Sequence, residues 1–210
     1  MITGLILAGG RSRRFESDKV RAVLAGRALA EYAVTRAQNQ VERLIISTND
    51  PSPPAIFEAY PRLADVIGGF RGPLAGILTG LEWVADNDPN CSWLMTFSVD
   101  TPFFPEDFVA RLSEVNRKKT VPVIAASGGR VHPVFGLWPV SLGPALRKFL
   151  QENEKGAVMD FFRASSGREV TFSDVPYDPF FNINYQYDIA RAHEILNQLM
   201  PVGDAADGGD

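Results

Sequence analysis

Ile2 to Leu7 is an uncharged, largely apolar run that passes almost directly into Gly9-Gly10. Such a run closed by glycines predicts a buried strand feeding a tight loop. Behind it, apolar runs and helical stripes alternate. Ala28 to Gln40 predicts a helix, Val41 to Thr48 a second buried strand, Ala55 to Tyr60 a short helix, and Asp65 to Ile67 a brief third strand. Gly72-Pro73 opens a helix whose Leu74, Ile77, Leu78 and Leu81 share one face. Trp93 to Val99 is the next strand, with Asp100 at its carboxyl end, and a helix follows from Glu106 to Val115.

Val121 to Ala126 and Val131 to Trp138 predict strands around a Gly128-Gly129 turn. Leu142, Ala145, Leu146, Phe149 and Leu150 form a further helical stripe, and Ala157 to Ala164 another helix. Glu169 to Val175 predicts a strand, Phe180 to Ile183 a short one, and Ile189, Ala192, Leu196 and Leu199 a final helix. This alternation implies an α/β fold: a single three-layer, Rossmann-like domain over 1–200 with a mainly parallel mixed sheet. The Gly- and Asp-rich residues 201–210 predict a disordered acidic tail.

Composition narrows the function classes. The chain has 210 residues, is 45% hydrophobic and 22% charged, and carries a net charge of −4. A net-negative surface argues against nonspecific nucleic-acid binding, which runs on excess Lys and Arg. Cys91 is the single cysteine, so an intrachain disulfide is excluded, a thiolate zinc site is disfavoured, and a reducing compartment fits. No apolar run approaches the length of a membrane span, and Ile2–Ala8 lacks the basic flank of a signal peptide. Neither membrane nor nucleic acid is an expected partner.

Four places carry chemistry. In the loop after the first strand, Arg11, Arg13, Arg14, Lys19 and Arg21 place five cations within eleven residues. With Gly9 and Gly10, that makes a local anion site in an acidic protein. The loop has neither P-loop nor G-x-G-x-x-G spacing, and a glycine turn with a solvated basic face is the competing reading. Asp100, in Ser98-Val99-Asp100-Thr101-Pro102, sits where open α/β sheets bind ligands. Its carboxylate suits Mg²⁺ or caps the following turn. Asn182 and Asn184 alternate, so on a strand they share one side; Asn184 is either a carbonyl ligand beside Asp100 or an N-cap of the last helix, and capping preference favours the cap. His132-Pro133 is either a contact to a polar ring or phosphate, or structural.

The order LAGG-x-x-x-R-x-x-x-DK (Leu7 to Lys19), GPLAG (Gly72 to Gly76), DTP (Asp100 to Pro102), HP (His132-Pro133) and N-x-N (Asn182, Asn184) resembles the molybdenum cofactor guanylyltransferases, of the nucleotide-diphospho-sugar transferase fold group. The match runs from about Thr3 to Leu199. The resemblance implies a cytoplasmic, Mg²⁺-dependent enzyme that joins GMP from GTP to the terminal phosphate of molybdopterin, with molybdoenzymes or their chaperones as further partners. It implies a nucleotide site of Leu7, Ala8, Gly9, Gly10, Lys19, Ser47, Asn49, Gly69 and Asp100. It makes Arg14, Lys19 and Asp100 catalytic, His132, Asn182 and Asn184 substrate contacts, and Asp100 and Asn184 metal ligands.

Gly9, where cytidylyl relatives tend to carry alanine, would leave room beside a purine. Glu16 stands where the family has glycine in its phosphate loop, and Gly68-Gly69 where it has an aspartate. The competing functions are a nucleotidyltransferase using CTP or a sugar phosphate, and a non-catalytic nucleotide-binding or cofactor-delivery protein.

Overall fold

The computed structural model describes residues 1–9, 19–68, 72–116, 120–153 and 156–199. The predicted tail, 201–210, lies outside the described residues. A seven-stranded sheet has the order β5 (Arg62–Leu63), β4 (Arg43–Ser47), β1 (Ile2–Leu7), β6 (Trp93–Ser98), β8 (Arg130–Pro139), β7 (Val123–Ser127) and β9 (Arg168–Phe172). Strand β8 is antiparallel to both neighbours, and every other pairing is parallel. The α/β, mainly parallel expectation therefore stands, with mixed character confined to β8.

The pattern of β1 shows why the layers form. Ile6 packs with α1 (Leu29–Gln38) and α3 (Phe108–Val115) on one face of the sheet. Leu5 and Leu7 pack with α2 (Pro73–Asn87), α4 (Gly143–Glu152) and α5 (Val158–Ala164) on the other. A strand buried on both faces must be apolar throughout. The predicted stripe Leu74, Ile77, Leu78 and Leu81 is wholly buried. Gly76 and Gly80 lie on that same side of α2, and a Cβ at Gly76 would stand 2.7 Å from both Leu7 Cδ2 and Ser47 Oγ. The missing side chains let the helix sit close on the strand ends.

A third cluster joins Ala22, Leu24, Leu29, Phe103 and Ile183 to Ala192 and Ile195 of α6 (Asp188–Leu199). It rests on a hairpin that sequence reading missed, β2 (Val23–Leu24) and β3 (Arg27–Ala28). Its turn, Ala25-Gly26, has positive φ at both positions (48° and 78°), the backbone of a two-residue hairpin turn. Gly128-Gly129 does the same between β7 and β8, at φ 51° and 73°.

Two predicted strands are corrected. The short strand after β4 is Arg62–Leu63, not Asp65–Ile67, and it pairs Ile46 with Arg62 and Ser47 with Leu63. The Val66 N–H is taken instead by Thr79 Oγ1. Phe180–Ile183 is not a strand. Its main-chain bonds make no ladder: Phe181 N–H donates to the nearby Asp178 O, and Ile183 N–H to Asp100 O at 2.9 Å.

Buried Thr96 fastens β6 to the antiparallel β8. Its Oγ1 donates to Gly136 O (3.2 Å), and accepts from Gly136 N–H (3.2 Å) and Trp138 Nε1–H (3.0 Å). Thr96→Val removes that acceptor and strands the buried indole N–H. It is expected to lower unfolding stability by about 1–3 kcal/mol, read by urea denaturation, while Thr96→Ser retains most of it. An unchanged midpoint for Thr96→Val would show that the cluster adds nothing.

Candidate functional site

Because β1, β4, β5, β6, β7 and β9 run the same way, their carboxyl ends share one edge, where the antiparallel β8 begins. Ligands of open α/β sheets bind at that edge. Leu7, Ala8 and Gly9 lie there at the end of β1. Ala8 N–H bonds Ser47 O at 2.9 Å, and Val99 N–H bonds Leu7 O at 3.4 Å, so three strand ends are fastened together. Among the described residues, nothing lies within 4 Å of where a Cβ at Gly9 would stand.

Asp100 follows β6. Its Oδ1 accepts hydrogen bonds from Ser98 Oγ at 2.6 Å and Thr101 Oγ1 at 3.2 Å. Two hydroxyl donors on one oxygen fix the plane of the carboxylate. Asp100 O accepts Ile183 N–H at 2.9 Å, which sets Asn182 and Asn184 on either side of a residue bonded to Asp100. The two asparagines do not share a strand face, since no strand forms there. The N-cap reading of Asn184 also fails. Helix α6 begins at Asp188, whose Oδ2 accepts the N–H groups of Asn184 (2.7 Å) and Tyr185 (2.8 Å). Asp188 thus holds the chain just after the asparagines. The Ile183 bond leaves Asn182 and Asn184 each one residue from a main-chain contact with Asp100.

On the β4 side the two nucleotide-site candidates, Ser47 and Asn49, differ in exposure. Ser47 is buried under α2, beside Gly76, whereas Asn49 is exposed. Asn49 Nδ2–H donates to Asp65 Oδ2 at 2.8 Å, and Asp65 N–H donates to Asn49 Oδ1 at 3.0 Å. Asp65 was not singled out in the sequence, where it reads as part of a strand. The expected acidic position was sought at Gly68-Gly69 instead. Gly69 lies outside the described residues, as do Gly10, Arg11, Arg13, Arg14 and Glu16, and the Lys19 side chain is likewise not described. The fifth cation of the loop, Arg21, is committed elsewhere. Its guanidinium pairs with Asp50 Oδ2 at 3.3 Å and donates to Ser52 O.

On the β8 side, His132 Nε2 lies 2.7 Å from Ser127 Oγ, and Ser127 Oγ donates to Asp178 Oδ1 at 2.7 Å. The same Oδ1 accepts Phe180 N–H at 2.9 Å. The His132 ring stacks on Phe180 at a centroid distance of 4.7 Å and 24°. Burial holds the His132 pKa below its ordinary value. Asp178 opposes that shift and Arg130 adds to it. Ser127 and Asp178 escaped the sequence reading, although a polar residue closing a buried strand was a usable cue for Ser127.

Residues 4–169 match a family described as the MobA-like NTP transferase domain. A molybdenum cofactor guanylyltransferase from Bradyrhizobium sp. (strain ORS 278) is 42% identical over 198 residues, covering 92% of this chain and 92% of its own length. One from Mesorhizobium japonicum is 42% identical over 204 residues, covering 94% and 97%. The crystal structure of molybdopterin-guanine dinucleotide biosynthesis protein A from Archaeoglobus fulgidus has the same fold. Its TM-score is 0.71 at 18% identity, covering 93% of this chain and 99% of that one.

The reciprocal Asn49–Asp65 pair ties the loop after β4 to the loop after β5. A double-mutant cycle with Asn49→Ala and Asp65→Ala, read by urea unfolding, is expected to give a coupling of about 1 kcal/mol. Additive single effects would show that the clasp does not persist in solution.

Proposed function

The chain belongs to the MobA-like NTP transferase family, and on that premise we propose that it transfers GMP from GTP to the terminal phosphate of molybdenum-molybdopterin. It is a nucleotidyltransferase of molybdenum cofactor biosynthesis. The observation that supports the finer reading is the Asp100 carboxylate, held by two hydroxyls at the sheet edge and bonded through its carbonyl to the asparagine segment.

In the proposed step an oxygen of the molybdopterin phosphate attacks the α-phosphorus of GTP. One P–O bond forms there. The bond to the β-phosphate oxygen breaks, and its electron pair leaves with pyrophosphate. Such a transfer needs positioning and charge neutralisation rather than covalent help from the protein. The end of β1, Leu7-Ala8-Gly9 continuing into Gly10, receives the nucleotide, and the missing side chain at Gly9 leaves room for a purine. Asn49, presented by its clasp with Asp65, with Ser47 and Gly69 nearby in the chain, serves the nucleoside end. Arg14 and Lys19 offset the charge that grows on pyrophosphate. His132, Asn182 and Asn184 serve the acceptor.

The donor set fits Mg²⁺. One oriented carboxylate with an amide oxygen is what this ion takes when phosphates and waters supply its remaining ligands. Asp100 and Asn184 would hold it, and when bound it would screen the phosphate oxygens against one another.

Ser98 orients that carboxylate without being a ligand itself. Ser98→Ala is expected to raise the Mg²⁺ concentration for half-maximal rate by about 10–100-fold, with saturating Mg²⁺ recovering most of the rate. A rate lost equally at all Mg²⁺ concentrations would remove Asp100 from metal binding.

Reconstitution checks the base. Purified protein, Mg²⁺ and molybdenum-loaded molybdopterin are mixed with GTP, CTP or ATP separately, and pyrophosphate and dinucleotide are assayed. Product with GTP alone is expected. Product with CTP would overturn the base assignment. Nucleotide binding without product from any of the three would favour the delivery role.

A further inference from the structure

We infer that Asp178 and Ser127 are positioning residues that hold His132 as the neutral Nε2–H tautomer, so that its Nδ1 accepts a hydrogen bond from an N–H or O–H group of the acceptor substrate. The inference rests on the guanylyl-transfer reading only for the identity of that substrate.

Proton counting carries the first half. A serine hydroxyl has one hydrogen, and Ser127 Oγ spends it on Asp178 Oδ1 at 2.7 Å, because a carboxylate can only accept. Ser127 Oγ therefore offers His132 Nε2 lone pairs alone, and their 2.7 Å contact needs the hydrogen on Nε2. Asp178 is itself fixed, since Phe180 N–H donates to the same Oδ1. Phe180 then stacks on the imidazole and sets its plane. Ser127 is buried, so water does not compete for its hydroxyl. In a neutral ring with a hydrogen on Nε2, Nδ1 is an acceptor. Nδ1 has no partner among the described residues, and it is not among their sealed polar atoms.

Position carries the second half. The β6–β8 register sets Thr96 opposite Gly136; beyond that pair Asp100 follows the end of β6 and His132 lies near the start of the antiparallel β8, so both stand at the same sheet edge. The segment from Phe180 to Ile183 touches both: Phe180 stacks on His132, and Ile183 bonds Asp100 O. Three residue steps span at most about 11 Å, so one short segment holds His132 at one end and the Asp100 main chain at the other. A lone pair on Nδ1 repels a phosphate oxygen. It suits the ring N–H and amino groups of a pterin. His132 therefore reads the ring end of the acceptor, not its phosphate.

The test is the ¹⁵N imidazole spectrum of the full-length protein near pH 7.5. The wild type is expected to show one pyridine-like Nδ1 and one protonated Nε2 at His132, assigned by loss of the signals in His132→Gln. GTP should leave Nδ1 unmoved, and molybdopterin should shift it as it accepts a hydrogen bond. Ser127→Ala is expected to mix the tautomers and raise the KM for molybdopterin about tenfold, with the GTP affinity unchanged. Ser127→Thr, which keeps a hydroxyl, should restore both. A wild-type Nδ1–H tautomer, an imidazolium, or an Nδ1 that ignores molybdopterin while transfer proceeds would overturn the inference alone. Movement of Nδ1 with molybdopterin, in a protein that transfers nothing, would sustain it and overturn the guanylyl-transfer reading instead.

Discussion

Strand β1 is hydrogen-bonded along both sides to parallel neighbours, β4 and β6, and the architecture follows from that constraint. Parallel neighbours cannot be joined by hairpins, so a crossover must return the chain to the same starting end each time. Every crossover then leaves its outgoing loop at one edge, and the helices it contains cover the two faces. The polar residues of the site, Asp100 included, collect where the backbone emerges from the sheet. Gly76 and Gly80 sharpen the effect. They let α2 lie close against Leu5 and Leu7, so the floor of the edge is packed without a gap.

The second constraint is the attachment of the last third of the chain to that edge. Ile183 is fully buried in the third cluster, and its N–H bonds Asp100 O. Phe180 packs edge-on against Phe108, Phe135 and Phe172. Burial of two apolar side chains three positions apart is what holds the polar pair between and beyond them. Each contributes on the order of 2 kcal/mol, more than the amide contacts they position. Asn182 and Asn184 therefore need no strand to be presented. Asp188 secures the exit by accepting two main-chain N–H groups.

Residues that obey a period were legible in the sequence, and residues whose role lies in a partner far along the chain were not. The run Ile2–Leu7, the stripe on α2 and the Gly-Gly turn between β7 and β8 follow from local pattern, because burial imposes spacing. Asp100 was legible because it closes an apolar strand. Asp65 was not, since what distinguishes it is Asn49, sixteen residues away. The β2–β3 hairpin was hidden because two-residue strands have no period to detect. Phe180–Ile183 looked like a strand because its apolar residues are buried, yet burial came from aromatic packing rather than sheet pairing. Asp178 reads as a turn residue in Tyr177-Asp178-Pro179. Its partner Ser127 lies fifty-one positions away.

The order of residues along the edge also bears on the proposed reaction. Asn49 and Asp65 stand at the ends of β4 and β5, Asp100 at the end of β6, and His132 and Ser127 on β8 and β7. From β4 to β7 there are four strand spacings, roughly 19 Å at about 4.8 Å each. That span sets the residues proposed for the nucleotide well apart from those proposed for the acceptor. In-line displacement needs the attacking and leaving oxygens on opposite sides of the reacting phosphorus. If the nucleotide occupies the β1–β4 side and the acceptor the β8–β7 side, Asp100 lies between them. The acceptor phosphate must then reach the α-phosphorus from the side opposite the departing pyrophosphate. On that arrangement the antiparallel β8 has a functional consequence. Its reversal brings the start of a strand, with its half-buried His132, to an edge otherwise made of strand ends.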